Sequence, residues 1–251
     1  MSEPTAIPKV RLFVEGELSS GGTLVLEDNQ SHYLVNVMRL KGGAAIALFN
    51  GRDGEWLAEL TEASKRSAEL TLIHELRPQP AEVDLWLVFA PIKRARLDYM
   101  VQKAVELGVS GICPVYTERT MVSRLNPKRM LANAREAAEQ CGRLSVPQIR
   151  APVDLGQLIA DWPAGRRLIF CDEMGEDASM YNRLAGLSGD ERSKPWAILI
   201  GPEGGFSAFE SRKLREQEFV TPVSLGPQVL RADTAAVAAL ALWQSLLGQW
   251  L

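Results

Sequence analysis

Residues 196–207 have the sequence Trp-Ala-Ile-Leu-Ile-Gly-Pro-Glu-Gly-Gly-Phe-Ser, an apolar run that leads into a glycine-rich loop. A short apolar run closed by Gly-Pro is typical of a buried strand in a parallel sheet. Ser207 and Glu210 have the spacing of a capping box, which predicts that a helix begins directly after the loop. Ligands bind at the carboxyl ends of such strands in open α/β sheets, so the loop is a candidate ligand site.

The composition of this loop restricts the ligand. No Lys-Ser or Lys-Thr pair follows the glycines, and they lack the G-x-G-x-x-G spacing, so neither phosphate-binding fingerprint is present. Glu203 would repel a polyphosphate, whereas Gly201, Gly204 and Gly205 would let a ligand approach the main chain closely. We therefore expect a nucleoside-like ligand without phosphates, although a loop of this composition also occurs as a plain tight turn.

Residues 223–235 repeat the arrangement, with a strand, a Leu225-Gly226-Pro227 loop and a helix entrance that carries Arg231 and Asp233. The two loops together resemble those of the SPOUT methyltransferases, and among them the small-subunit ribosomal RNA uridine-N3 methyltransferase family. The family pattern is Leu-Ile-Gly-Pro-Glu-Gly-Gly followed by Leu-Gly-Pro-x-x-Leu-Arg-x-Glu-Thr-Ala. This chain departs from the pattern at Asp233, where Glu is usual, and at Gln228, where Arg is common.

The resemblance implies S-adenosylmethionine as cofactor and, as the methyl acceptor, N3 of a uridine in 16S ribosomal RNA within the assembled small subunit. The expected cofactor-binding residues are Leu199, Ile200, Gly201, Pro202, Glu203, Gly204, Gly205, Leu225, Gly226, Val229, Leu230, Arg231 and Ala235. The expected catalytic residues are Arg231, Asp233 and Arg11. Ribose 2′-O methylation of transfer RNA and a non-catalytic RNA-binding module are the alternatives.

Two of the catalytic candidates have distinct expected tasks. Arg231 is always charged, so it can donate hydrogen bonds to the oxyanion that develops on the uridine. Asp233 can accept the N3 proton, or it can cap the helix that follows, because Asp is a preferred residue at a helix start.

Two prolines in Arg77-Pro78-Gln79-Pro80 favour an extended connector, and we place a domain boundary there. Residues 1–77 contain short strand-like runs and one helix, predicted over Gln30–Leu40, which together predict a small β-barrel. This barrel resembles the PUA-like RNA-binding domain of the same family. Residues 80–251 alternate strands and helices, which predicts an α/β domain with a parallel sheet. The resemblance adds a trefoil knot, which sequence patterns alone would exclude.

The net charge of −3 conceals a concentration of basic residues. Residues 93–150 carry 11 Lys and Arg against 5 Asp and Glu, a local charge of +6. Clustered positive charge is what a phosphate-binding face requires, although a solvated helical face has the same composition. The RNA-binding candidates are Arg11, Arg39, Lys93, Arg119, Arg124, Lys128, Arg129 and Arg143. Arg39 could instead form a surface pair with His32 that braces the barrel.

Several functional classes are not expected. No apolar run approaches the roughly 18 residues of a membrane span, and Met1–Pro8 lacks the core of a signal peptide, so we expect a cytoplasmic protein without a membrane partner. Three distant cysteines and two histidines fit neither a disulfide framework nor a metal site. The apolar segment Ala235–Leu247 should form a buried helix, either in the core or, as the family implies, in a homodimer interface.

Overall fold

The computed structural model describes residues 8–64, 67–172 and 177–250. The chain forms two compact units, Met1–Ala81 with Ala138–Val146, and Glu82–Ala137 with Pro147–Leu251. The segment Ala138–Val146 therefore packs with the first unit, whereas the sequence placed it in the second domain. The expectation about a signal peptide concerns Met1–Pro8, which lies outside the described residues except for Pro8.

The first unit is built on a five-stranded sheet in the order β1-β3-β4-β5-β2. Its strands are β1 (Arg11–Phe13), β2 (Thr23–Val25), β3 (Ala45–Phe49), β4 (Glu55–Ala63) and β5 (Ala68–Arg77). The pairs are antiparallel except for β1 with β3. Three register shifts interrupt the β4–β5 ladder, and such irregularities curl a sheet around its core. The strand-like runs predicted over residues 23–26, 44–49, 55–60 and 68–73 correspond to β2, β3, β4 and β5, and β1 is an additional strand.

The predicted helix over Gln30–Leu40 is wrong in its start and in its geometry. Helix α1 spans Asp28–His32 and continues as a π-helical turn over Tyr33–Val37. The turn is closed by the amide of Met38, which donates to the carbonyl of Tyr33 five residues earlier. Periodicity assumes 3.6 residues per turn, so a locally wider turn cannot be predicted from it.

The second unit is built on a seven-stranded sheet whose main path is β12-β10-β11-β6-β7-β8, with β9 paired to β7. Its strands are β6 (Leu85–Phe89), β7 (Gly111–Tyr116), β8 (Gln148–Ile149), β9 (Val153–Asp154), β10 (Arg167–Cys171), β11 (Trp196–Ile200) and β12 (Val220–Val223). Every described pair is parallel. Strand β11 is buried at all positions, as its apolar run predicted. The trefoil knot concerns chain threading and stays a prediction.

Helices connect these strands. They are α2 (Arg94–Glu106), α3 (Pro127–Cys141), α4 (Leu155–Ala160), α5 (Met180–Ala185), α6 (Gly189–Arg192), α7 (Ala208–Arg215) and α8 (Ala232–Leu246). The predicted capping box is present at α7, where the Glu210 amide donates to Ser207 Oγ (3.2 Å) and the Ser207 amide donates to Glu210 Oε2 (2.9 Å). None of the helices in the described ranges is long and apolar enough to cross a membrane.

Helix α8 is less buried than its composition predicted. Ala236, Ala239, Leu240 and Trp243 are buried and form the inner face, which packs on α2, α5 and β11. The opposite face is apolar and only half-buried; it consists of Val237, Ala238, Ala241, Leu242 and Leu246. The expectation of a helix buried on all sides within this chain is therefore wrong, and an apolar strip remains available for another surface.

The capping box gives a first testable prediction. Replacing Ser207 by Ala removes the acceptor for an amide of the first turn of α7, so we expect the free energy of unfolding to fall by about 1 kcal/mol. Urea unfolding followed by circular dichroism measures it. Ser207→Asp keeps an acceptor and should retain most of the stability, and equal losses in the two variants would contradict the cap.

Candidate active site

The site is created where three parallel strands end side by side. Cys171 at the end of β10 is aligned with Ile200 of β11 and with Val223 of β12. The loops that follow these strands therefore leave the same edge of the sheet and enclose a cavity of about 610 Å³. This volume lies within the usual range for small-molecule sites, roughly 300 to 1,000 Å³.

The two loops predicted from the sequence contribute most of the cavity wall. The predicted cofactor residues that line it are Ile200, Gly201, Pro202, Glu203, Leu225, Gly226, Val229, Leu230, Arg231 and Ala235. Leu199, Gly204 and Gly205 do not line it. Leu199 is fully buried within the sheet, and Gly204 lies against the side chain of Arg119. The side chain of a strand residue faces away from that of its neighbour, which explains why Leu199 is excluded while Ile200 is present.

The glycines of the first loop are required for structural reasons that differ from those suggested by the sequence. Of Gly201, Gly204 and Gly205, Gly205 alone has a positive φ, 66°. A Cβ atom on Gly201 would lie 2.6 Å from Cε2 of Phe206, so packing of that ring requires the glycine. Gly226 of the second loop has φ 121° and open space beside it. Backbone freedom therefore matters at Gly205 and Gly226, and steric space at Gly201.

A third loop, which the sequence reasoning missed, completes the wall. It contributes Cys171, Asp172, Asp177 and Ser179. Arg215 of α7 holds this loop, because its Nη2 atom lies 2.9 Å from Asp172 Oδ2 and 2.6 Å from Asp177 Oδ2. The loop belongs to the site because β10 lies between β11 and β12 in the sheet. The sequence did not reveal this strand order, so it could not indicate the loop.

Arg96 connects the two predicted loops and was also missed. From the first turn of α2 it reaches Glu203 of the first loop, with Nη1 2.8 Å from Oε1. Its Nη2 and Nε atoms donate to the two carboxylate oxygens of Asp233 at 2.5 and 3.1 Å. In the sequence Arg96 was one member of a basic run, and nothing distinguished it from its neighbours.

The ion pair with Arg96 changes the expected role of Asp233. Hydrogen bonding from Arg96 lowers the pKa of the Asp233 carboxyl group below its usual value. A carboxylate with a lowered pKa is a weaker proton acceptor, which disfavours Asp233 as a general base. The N-cap interpretation is wrong as well, because Arg231 occupies the N-cap of α8 and Asp233 lies in the first turn. The side chain of Asp233 is instead used to hold Arg96.

Arg231 remains suited to contact a substrate. It is exposed and lines the cavity at the start of α8. Its guanidinium group makes no hydrogen bond or ion pair with the rest of the described chain. Its donors are therefore available to a ligand, as the sequence predicted for a residue that stabilises an oxyanion.

The structure argues against the predicted catalytic and RNA-binding roles of Arg11. Its side chain is only 9% exposed, and its Nε atom lies 2.5 Å from the buried carboxylate of Glu55. Nη1 donates to the carbonyl oxygens of Ala138 and Glu139 in the last turn of α3, and Nη2 donates to that of Arg143 just beyond it. Arg11 thus neutralises the negative end of α3, and four of its five N–H donors are used within the protein.

The other RNA-binding candidates divide into two groups. Arg39, Lys93, Arg124 and Lys128 are exposed, and the described chain offers no side-chain hydrogen bond to any of them. The remaining three have partners: Arg119 donates to the carbonyl of Gly204 (2.9 Å), Arg129 pairs with Asp98, and Arg143 donates to Ser145 (3.0 Å). His32 and Arg39 form no bond with each other in the described chain, which removes the bracing interpretation.

Two of the three cysteines, Cys113 and Cys171, are buried. Burial raises the pKa of the Cys113 and Cys171 thiols to about 12, so both stay protonated at neutral pH. Cys141 is exposed. Among the described residues, no group of three or more His, Cys, Asp or Glu side chains could hold a metal ion.

The pairing of Asp233 with Arg96 predicts a pH dependence of stability. Because the folded-state pKa of Asp233 lies below its unfolded value of about 3.9, the pair stabilises the fold above that pH, and the contribution is lost as pH falls through the folded pKa. Asp233→Asn should therefore lower the free energy of unfolding by roughly 1 to 2 kcal/mol at pH 7, and by progressively less below pH 4. Urea unfolding across pH measures the difference. Asp190→Asn, at an exposed carboxylate, is the control, and a pH-independent difference would contradict the ion pair.

Comparisons with known proteins agree with this architecture. A family model described as an RNA methyltransferase domain matches residues 79–244, and an RNA methyltransferase PUA domain matches residues 26–73. The chain is 30% identical to ribosomal RNA small subunit methyltransferase E of Synechocystis sp., over 98% of this chain and 80% of that protein. It is 29% identical to the protein of the same name from Rickettsia conorii, over 92% and 93% of the two chains.

Two solved structures are similar over almost the whole chain. The ribosomal RNA small subunit methyltransferase E of Neisseria gonorrhoeae, bound to S-adenosylmethionine, has a TM-score of 0.83 at 30% identity and covers 96% of this chain and 98% of its own. A Legionella pneumophila protein in complex with the same cofactor has a TM-score of 0.83 at 30% identity, with coverage of 94% and 97%. These matches confirm the predicted fold, a parallel-sheet methyltransferase domain preceded by a PUA-like domain.

Proposed function

We propose that this chain methylates small-subunit ribosomal RNA with S-adenosylmethionine. The chain belongs to the RNA methyltransferase family that includes ribosomal RNA small subunit methyltransferase E. The observation that carries the proposal is the cavity at the ends of β10, β11 and β12, which both predicted loops line. The sequence resemblance adds N3 of a uridine as the acceptor atom.

The residues of the cavity fit the proposed cofactor. S-adenosylmethionine carries a sulfonium and an ammonium group, and three carboxylates of the described residues line the wall: Asp172, Asp177 and Glu203. Among the described lining residues Arg231 is the cation and lysine is absent, as suits a ligand without phosphates. When bound, the cofactor supplies a methyl group on a positively charged sulfur. We propose that main-chain groups of residues 200–203 and 225–230 hold it in place.

The chain's own contribution to the reaction is positioning and charge stabilisation. N3 of uridine carries a proton at neutral pH, and the base becomes a nucleophile when that proton leaves. Arg231 would stabilise the negative charge that then develops on the base oxygens. Asp233 is engaged by Arg96, so we assign the proton to water rather than to Asp233. Arg96 keeps Glu203 and the start of α8 in a fixed relation, which positions Arg231.

The two parts of the chain would have separate tasks. We propose that residues 1–77 bind RNA as a PUA-like domain and that residues 80–251 carry the methyltransferase activity. The assembled small subunit is the proposed form of the substrate, and the cytoplasm is the corresponding location. The relatives' names favour ribosomal RNA over transfer RNA, and the accessible Arg231 in a cofactor-sized cavity favours an enzyme over a binding module.

Arg231 provides the test of this function. We expect Arg231→Ala to lower the single-turnover methylation rate at least about 100-fold, because a positioned donor to a developing oxyanion is lost. Calorimetry in the presence of a chelator should show that the variant still binds S-adenosylmethionine. Arg212→Ala, on the exposed side of α7, should behave as the wild type. An unchanged rate for Arg231→Ala, or cofactor binding that requires a divalent ion, would contradict the proposal.

We also propose a homodimer formed through the outer face of α8. Its half-buried apolar strip, which includes Val237, Ala241 and Leu242, would be covered by the same strip of a second copy. Light scattering at micromolar concentration should give about twice the chain mass of 27.6 kDa.

Leu242→Asp places a charge in this strip and should give a monomer, whereas Ala132→Asp, at an exposed position of α3, serves as control. A wild-type monomer under the same conditions would exclude the dimer.

A further inference from the structure

A second cavity, of about 290 Å³, lies beside the first turns of α2 and α3. Its floor is apolar and consists of the buried residues Ile92, Leu97 and Met130 and the half-buried residues Val122 and Leu125. Three arginines form the rim: Arg94, Arg124 and Arg129. An apolar floor with cationic edges is unlike the cofactor cavity, where carboxylates dominate.

The charges of the rim are arranged so that two cations remain available. Asp98, the acid in the lining, is neutralised by Arg129, whose Nε atom donates to both carboxylate oxygens at 3.0 and 3.1 Å. Asn133 Nδ2 donates to Asp98 Oδ1 at 2.7 Å. Arg94 and Arg124 are exposed, and in the described ranges neither makes a side-chain hydrogen bond or ion pair. Arg94 interacts with Asp98 through its charge alone, which helps to lower the pKa of Asp98, so an anion at the rim would meet two guanidinium groups whose N–H donors are unused in the described ranges.

The cavity is directly linked to the proposed reaction site. The first turn of α2 carries Arg94 at the rim and Arg96, which holds Glu203 of the other cavity and Asp233 in the first turn of α8. Residues two positions apart on a helix face different directions, so this turn separates the two cavities. The loop 117–126 gives a second link, because Arg119 donates to Gly204 while Val122 and Leu125 belong to the floor.

We propose that this second cavity binds one unstacked nucleotide of the RNA substrate, a neighbour of the methylated uridine. The inference rests on the proposed function. Single-stranded RNA is recognised by splaying out bases onto apolar or guanidinium surfaces while cations hold the phosphates. The base occupies the floor at Leu125, and Arg94 and Arg124 bind its phosphate. Enzymes that modify a flipped base commonly select their site through such flanking nucleotides.

The volume and chemistry of the cavity favour this occupant. At about 290 Å³ it is near the lower limit for ligand sites, which suits one base rather than a larger molecule. A purely ionic phosphate site would not require the apolar floor, and a purely apolar ligand would not require the two arginines. A nucleotide uses both, and its chain continues toward the adjacent reaction cavity.

The phosphate contact is tested by equilibrium binding of a fluorescent, unmethylated small-subunit ribosomal RNA fragment to the full-length protein. Arg124→Glu should weaken binding at least roughly tenfold and reduce the slope of log affinity against log salt by about one. The control Arg212→Glu makes the same charge change at an exposed arginine of α7. Cofactor affinity, measured by calorimetry, should be unchanged in both variants. Equal RNA affinities for the two variants would overturn the phosphate contact.

The base contact is tested with methylation substrates in which single nucleotides beside the target lack their base. For the wild type, removal of the base at one position should raise KM roughly tenfold with little change in kcat. Leu125→Ala should raise KM for intact RNA and abolish the further effect of that abasic position, since both changes remove one contact. Additive effects, or no sensitive position, would overturn the subsite. A wild type that binds this RNA but never methylates it would refute the proposed function instead.

Discussion

The parallel register of β10, β11 and β12 is the constraint on which the functional architecture depends. Because Cys171, Ile200 and Val223 are aligned, the three following loops must leave the sheet at the same edge. No loop alone encloses a ligand-sized space, but together they form the wall of the cofactor cavity. The complete burial of β11 in the sheet makes this register costly to change, since a shift by one residue would reverse every side chain.

Charged side chains fix the loops whose positions the strand register leaves undetermined. Arg96 ties the first loop to the start of α8, and Arg215 ties the third loop to α7. In the first unit, the buried carboxylate of Glu55 holds Arg11 and Arg77, which donate to carbonyl oxygens at the end of α3 and just beyond it. A buried charge without its partner is strongly destabilising, so these pairs favour one loop arrangement over others.

The same distinction separates structural from available arginines. Arg11, Arg96 and Arg215 each make at least three side-chain hydrogen bonds to protein acceptors, whereas Arg94, Arg124 and Arg231 make none in the described ranges. Arg94, Arg124 and Arg231 lie at the two cavities of the second unit. A function that needs one donor for a reacting base and others for backbone phosphates is consistent with this division, and charge counting along the sequence could not have shown it.

The sequence was sufficient to predict β11, the capping box of Ser207 and Glu210 and the helix after it, because short-range periodicity and local hydrogen bonds specify such elements. Its two glycine loops also identified most of the cofactor cavity and the family. Three features became visible only in the folded chain: Arg11 is buried against the end of α3, Arg96 binds Asp233, and Asp172 joins the site. These outcomes depend on contacts between residues more than 100 positions apart or on the order of strands, and neither leaves a local sequence pattern.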